Sequence, residues 1–406
     1  MQADLLHKIH QLAKQFAPEI VNNRRHLHSH PELSFQEFET ARFVAQQLQA
    51  MQLQPQAPLA NTGLTVYIEG KNPSSKTIAL RADMDALPIE ETNEVTYKSK
   101  NKGVMHACGH DVHTASLLGT ARILHALRDS FEGTIQLIFQ PGEEVFPGGA
   151  SLMIQEGVLE ARDTWAAPQK IIGQHVMPLL PVGKVGFRSG MYMASADEIY
   201  MTVHGKGGHG AMPELCIDPV LITSHILVAM QQVISRNSSP KMPSVLSFGK
   251  VIAQGATNVI PDKVYVEGTF RTYDETWRKD AHQKIRKIAE GIAESMGGSV
   301  SLDIKVGYPH LKNEPNLTQF LKSAAEAYLG PDNVVDLDLW LAAEDFAYYS
   351  QVIDACFYRL GTRNEAKGIV SSVHTSTFDI DEEALEIGAG LMAWLAIQQL
   401  QETASH

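Results

Sequence analysis

Cysteine is scarce in this 406-residue chain: Cys108, Cys216 and Cys356 stand far apart and make no paired framework. That argues against a disulfide-stapled scaffold and for a reducing compartment. No run rich in lysine and arginine occurs and the formal charge is −12, which disfavours a nucleic-acid or anionic-membrane partner, since either needs a basic face. A small polar substrate fits better. Missing too is any stretch long and apolar enough to cross a bilayer. The opening MQADLLHKIHQLAKQFAPEIV alternates charged and apolar residues like an amphipathic helix, without the unbroken apolar core of a signal peptide. A soluble, cytoplasmic protein is expected. Internal repeats and low-complexity segments are also absent. What the chain has is 44% hydrophobic residues over a length beyond one hydrophobic core, so two domains are expected.

Ligand-type chemistry is concentrated between Met105 and Thr114, where His106, Cys108, His110, Asp111 and His113 fall within ten residues. Cys108 and His110 are two apart, so in an extended segment their side chains leave from one face, and Gly109 lets the backbone bend between them. Two donors can thus converge on one metal ion. Apolar residues recur at helical spacing from Ala115 to Leu127, and Asp111 takes the position of an N-cap. The pair would sit in the loop at a helix start. A second histidine group, His26, His28 and His30, runs out of a helical pattern into Pro31, and we assign it a structural role.

Residues 3–50 read as helical, broken at Pro31. Strand-like runs follow at Leu64 to Ile68, Thr77 to Arg81, Thr134 to Phe139 and Lys170 to Gln174, with a long helix between the second and third, the alternation of an α/β sheet. In open α/β sheets the ligand site lies beyond the carboxyl ends of the strands. Those ends lead here into Arg81-Ala82-Asp83-Met84-Asp85, into Gln140-Pro141-Gly142-Glu143-Glu144, and into His175. Adjacent Glu143 and Glu144 after an apolar strand would be costly to bury without cations nearby. From about residue 187 to 307 the texture changes to strand, Gly-rich loop (Gly205 to Pro213), helix, two strands and helix, an inserted α+β domain. Helix, strand and a last helix from Asp381 then complete the first domain.

The ordered set Arg81-Ala82-Asp83-Met84-Asp85-Ala86-Leu87-Pro88, Cys108-Gly109-His110-Asp111, Gly142-Glu143-Glu144, His175, Gly207-Gly208-His209-Gly210-Ala211, Asn258-Val259-Ile260-Pro261, Glu344-Asp345-Phe346 and His374 resembles the M20 metallopeptidases. The similarity is to the amidohydrolase branch, with auxin-amino-acid conjugate hydrolases, hippurate hydrolases, aminoacylases and N-acetyldiaminopimelate deacetylases. It spans nearly the whole chain.

The resemblance implies a metal-dependent exopeptidase-like catalytic domain with a mixed, largely parallel sheet (1–186 and 308–406) and an inserted α+β lid and dimerisation domain (187–307). It implies two divalent metal ions held by Cys108, His110, Glu144, His175 and His374, with one ligand shared and a bridging water completing the site. Glu143 would be the general base for that water, and Asp85 would orient a metal ligand by a hydrogen bond. His209 would stabilise the oxyanion, and Asn258 and Arg271 would bind substrate. A cysteine thiolate favours borderline ions, zinc first, with manganese, cobalt or nickel as alternatives. Glu214 and Thr375-Ser376 depart from residues common in relatives and bear on the pocket.

The reading is an amidohydrolase that cleaves the amide bond of N-acyl amino acids or similar small conjugates by a metal-activated water, expected as a homodimer. One alternative is a dipeptidase or carboxypeptidase using the same site. Another is a non-catalytic metal- or ligand-binding relative, against which Glu143 speaks, since a binding site needs no base.

Overall fold

The computed structural model describes residues 2–162 and 165–402. Its chain divides into one unit of Met1–Gly190, Lys312–Asp338 and Asp345–His406 and another of Met191–Leu311 with Leu339–Glu344. The joins fall slightly later than 186/187 and 307/308. Leu339–Glu344 goes with the inserted unit because the Trp340 carbonyl accepts from the Ala194 amide (3.1 Å) and the Tyr273 hydroxyl (3.0 Å).

The first unit is built on a seven-stranded sheet in the order Leu64–Glu69, Thr134–Gln140, Thr77–Asp83, Lys170–Pro181, Asp354–Arg363, Val185–Phe187, Val334–Asp336. The second to fifth of these run parallel, while Leu64–Glu69 and Val185–Phe187 each pair antiparallel with an inner strand. Every residue of Thr77–Asp83 and Thr134–Gln140 is buried, as the near-continuous apolar sequence of a parallel strand covered on both faces requires. Lys170–Pro181 outruns the end expected at Gln174. It pairs Ile171–Gly173 with Ala79–Arg81, so His175 lies inside the strand, just past its last residue paired to Thr77–Asp83.

Helices Gln2–Ser29, His110–Ala126 and Glu383–Gln401 pack on one another, the last two also against Thr77–Asp83. Glu383–Gln401 is apolar nearly all round and buried from Gly388 to Leu400, which marks it as a central core helix. Each fully buried leucine or isoleucine here contributes about 1.5–3 kcal/mol.

The inserted unit has a four-stranded antiparallel sheet in the order Ser299–Val306, Asp197–His204, Lys263–Thr272, Ser244–Ala253. Alternate residues Ile199, Met201 and Val203 turn into a core shared with Ile222, Ile226, Ile285 and Ala289, the period-two pattern of a half-buried strand. Its helices Pro219–Gln232 and Glu275–Ser295 start at Asp218 and Asp274, whose carboxylates accept from first-turn amides. Among the described residues no helix is long and apolar enough to cross a membrane.

Candidate metal centre

Gly109 sets the local geometry. It is left-handed (φ 85°) and a Cβ there would stand 2.6 Å from Val176 Cγ2, so no other residue fits without displacement. The chain therefore turns into the helix at His110, and Gly109, not Asp111, occupies the N-cap position. Cys108 Sγ then lies 3.4 Å from His175 Nε2 and 3.3 Å from His374 Nε2. His374 is held by its amide on the Ala107 carbonyl at 2.7 Å. Candidate ligand atoms lie within 4.8 Å of one another in three overlapping sets: Cys108, His110 and His175; Cys108, Glu144 and His374; His110, Glu143 and Glu144. All five expected metal ligands and the expected base are thus brought together.

The imidazoles are pre-oriented. His110 Nδ1 faces Asp85 Oδ1 (3.1 Å) and the Asp85 carbonyl (2.9 Å). Both oxygens only accept, so the proton sits on Nδ1 and Nε2 presents its lone pair. His175 Nδ1 does the same toward the Val176 carbonyl at 2.8 Å. Among the described residues, buried His110 Nε2 and Glu144 Oε1 have no hydrogen-bond partner, although Glu144 Oε1 is 3.3 Å from His374 Nε2. Orphaned buried atoms of this kind, aimed together with a thiol and two more imidazoles, fit a divalent cation. Burial, reinforced by Glu144, pushes the Cys108 thiol up, and the Cys108 sulfur and Glu144 carboxylate beside its ring raise His374 to about 10.

Other members of the sequence cluster are consumed in holding this set. His113 donates from Nδ1 to Asp83 Oδ1 (2.6 Å) and accepts from the Val176 amide at Nε2 (2.9 Å), so neither nitrogen is left for a metal. Asp83 Oδ2 takes Arg81 at 2.5 Å, and Arg81 also reaches Asp345 at 2.7 Å. The Asp345 amide in turn approaches Glu143 Oε1 at 3.4 Å. His106 is fully buried, its ring nitrogens find no partner among the described residues, and burial pushes its pKa down to about 4.

Asp111 points away into a buried ion network. Its Oδ2 takes Arg24 Nε and His28 Nδ1, each at 2.8 Å, while Arg24 also reaches Asp379 at 2.9 Å and His28 Nε2 reaches Glu91 at 3.2 Å. Burial opposes the Asp111 charge, but Arg24 and His28 outweigh it and hold the carboxyl far below its usual range. Replacing Arg24 by methionine leaves that carboxylate buried beside histidine alone. The cost expected is about 3–5 kcal/mol, read as a lower urea midpoint. A loss under about 1 kcal/mol would show that His28 compensates by itself.

The remaining expected residues belong to the inserted unit. His209 and Val259 pair in a short antiparallel ladder, and the Gly210 amide bonds the Asn258 carbonyl at 2.8 Å, which brings His209 and Asn258 together. His209 is exposed, with Nδ1 accepting from the Ala211 amide at 3.0 Å. Arg271 stands on the four-stranded sheet, where its Nε bonds Thr269 Oγ1 at 3.3 Å and burial lowers its pKa. Missed in the sequence are Ser34, Glu37, Arg81 and His113 as supports, since their partners lie elsewhere in the chain. Only the turn-forming stretch around Pro31 hinted at the first two.

With this geometry in hand, comparison with known proteins is specific. The model of Peptidase family M20/M25/M40 matches residues 79–398. An N-acyl-L-amino acid amidohydrolase of Geobacillus stearothermophilus is 43% identical over 74% of this chain and 80% of its own. Thermostable carboxypeptidase 2 of Saccharolobus solfataricus is 38% identical over 97% and 99%. Among solved structures, the YXEP protein of Bacillus subtilis, described as a dinuclear metal binding peptidase from the M20 family, superposes with a TM-score of 0.82 at 35% identity, covering 96% of this chain and 100% of that one. A strand-end cluster of cysteine, histidine and paired glutamate, and a family match over most of the length, place the chain in Peptidase family M20/M25/M40.

Proposed function

We propose that the protein is a di-metal amidohydrolase that cleaves the amide bond of N-acyl amino acids. The observation that carries this is the convergence of Cys108, His110, Glu144, His175 and His374 with Glu143 set against them. Cys108, His110 and Glu144 each belong to two of the sets, so the donor to be shared comes from among these three. Bound divalent ions, zinc first given the thiolate, would polarise the scissile carbonyl and make water acidic enough to ionise near neutral pH. Glu143 takes the proton of the attacking water and returns it to the departing amine. Asp85 keeps His110 in the ligand tautomer.

In this reading the inserted unit acts as a lid. His209 donates to the oxygen on which charge develops, while Asn258 and Arg271 hold the substrate's carbonyl and carboxylate. The same unit would pair two chains, an assignment supported by exposed Val220, Leu221 and Val228 on one helix and Val251 and Ile252 on an edge strand. The proposed setting is the cytoplasm and the proposed substrates are small and polar, a reading that the acidic charge and the scarcity of cysteine support. The high identity to a carboxypeptidase favours a second reading, release of a C-terminal residue from short peptides.

A hydrolysis screen separates the two. With metal-loaded enzyme, N-acetyl and N-benzoyl amino acids are expected to be cleaved with kcat/KM at least ~10-fold above matched dipeptides, the discrimination that about 1.4 kcal/mol of differential transition-state binding gives. The reverse order would make the protein a peptidase.

A further inference from the structure

Glu143 is flanked by two backbone amides, and each ends on a carboxylate from outside its loop. The Glu144 amide donates to Asp85 Oδ2 at 3.0 Å, and the Gly142 amide donates to Glu37 Oε1 at 2.8 Å across 105 residues of sequence. The two carboxylates are linked through one turn. Ser34 Oγ donates to that same Asp85 oxygen at 2.6 Å, the Ala86 amide bonds the Glu32 carbonyl at 2.8 Å, and the Phe35 amide shares Glu37 Oε1 at 2.8 Å. Gly142 is left-handed (φ 59°), and a Cβ on it would lie 2.4 Å from the Phe35 ring. The ring therefore closes down on the loop that the carboxylate grips.

We propose that Glu37 is a positioning residue for the catalytic base, fixing the backbone from which Glu143 and Glu144 project. This rests on the reading of Glu143 as the base. Glu37 is fully buried, and its other oxygen accepts from Thr62 Oγ1 at 2.7 Å. Its partners here are two amides and a hydroxyl, which a neutral acceptor would satisfy at lower desolvation cost. Burial, followed by the Asp85 charge, raises its pKa to about 7. What the side chain supplies is reach: from the start of one helix it spans to Gly142, Phe35 and Thr62 together.

Two substitutions separate reach from charge. Glu37→Gln keeps the length, its carbonyl accepting from both amides and its NH2 donating to Thr62 Oγ1. Glu37→Asp keeps the charge and is one methylene short. Glu37→Asp is expected to lower kcat by ~10–100-fold, as loss of a supporting hydrogen bond in metal sites does, with KM changed less than ~3-fold. Glu37→Gln should stay within ~5-fold of wild type. Chelator competition should show divalent-ion affinity within ~10-fold of wild type in both, because four of the five ligands are untouched. In a Glu143→Gln background the Glu37→Asp penalty should shrink below ~3-fold, since no base remains to position. Equal damage from Asp and Gln, or an undiminished penalty in the Glu143→Gln background, overturns the proposal alone. Near-normal turnover of Glu143→Gln by itself would overturn the base assignment and this proposal with it.

Discussion

Glu143→Gln is expected to lower kcat by ~10²–10⁴-fold, the usual contribution of a general acid-base group, while metal content stays at the wild-type level. Glutamine preserves the shape of the side chain and an oxygen for the Asp345 amide that approaches Glu143 Oε1 at 3.4 Å. It cannot take a proton from water. Since Glu143 Oε2 is 4.0 Å from His110 Nε2, the carboxylate stands beside the ligand set without being needed to complete it. Kinetics and elemental analysis on the same preparation give the answer. A variant that loses metal and turnover in parallel would make Glu143 a ligand, and one that keeps turnover would leave the reaction without its assigned base.

Exhaustive chelation is expected to abolish turnover, and a divalent cation to restore it. The site presents buried atoms that have no hydrogen-bond partner among the described residues, His110 Nε2 and Glu144 Oε1. An ion held at ~100 times its dissociation constant adds about 2.7 kcal/mol to stability, so the thermal midpoint should fall with activity on chelation. Cys108→Ser exchanges the thiolate for a harder oxygen. Affinity should drop, and the ion that best supports activity should move from zinc toward manganese. Turnover that survives chelation, with no metal found by elemental analysis, would remove the basis of the proposed chemistry.

The donors were legible in the sequence because a few residues do most of the work locally. Cys108, Gly109 and His110 carry two candidate ligands and the turn between them, and Glu143-Glu144 follows a buried strand that cannot tolerate charge without a reason. The order of strands and helices was readable for the same cause, since periodicity is a local property. Roles that depend on a distant partner were not readable. His113 looks as much like a ligand as His110, yet both of its nitrogens are occupied once the chain folds. Asp111 looks like a cap until the left-handed Gly109 takes that place and Arg24 arrives from the first helix. Glu37 resembles any acid at a helix start, and only the folded chain brings it to Gly142. Sequence pattern reports what a residue can do, whereas its partner decides what it does.

The division of the first unit between the two ends of the chain has a consequence for biosynthesis. As the polypeptide leaves the ribosome, Cys108, His110 and Glu144 emerge long before His374, which lies 266 residues beyond Cys108. The core helix Glu383–Gln401, buried almost throughout, comes later still. The inserted Met191–Leu311 stretch is nearly continuous and can fold as soon as it is made, since domains form as units during synthesis. The strands that precede it must wait with their apolar faces unpaired. A chain stopped before His374 thus carries a folded insert, an open core and a proposed metal site short of its final ligand, a species for chaperones and proteases and not for metal delivery.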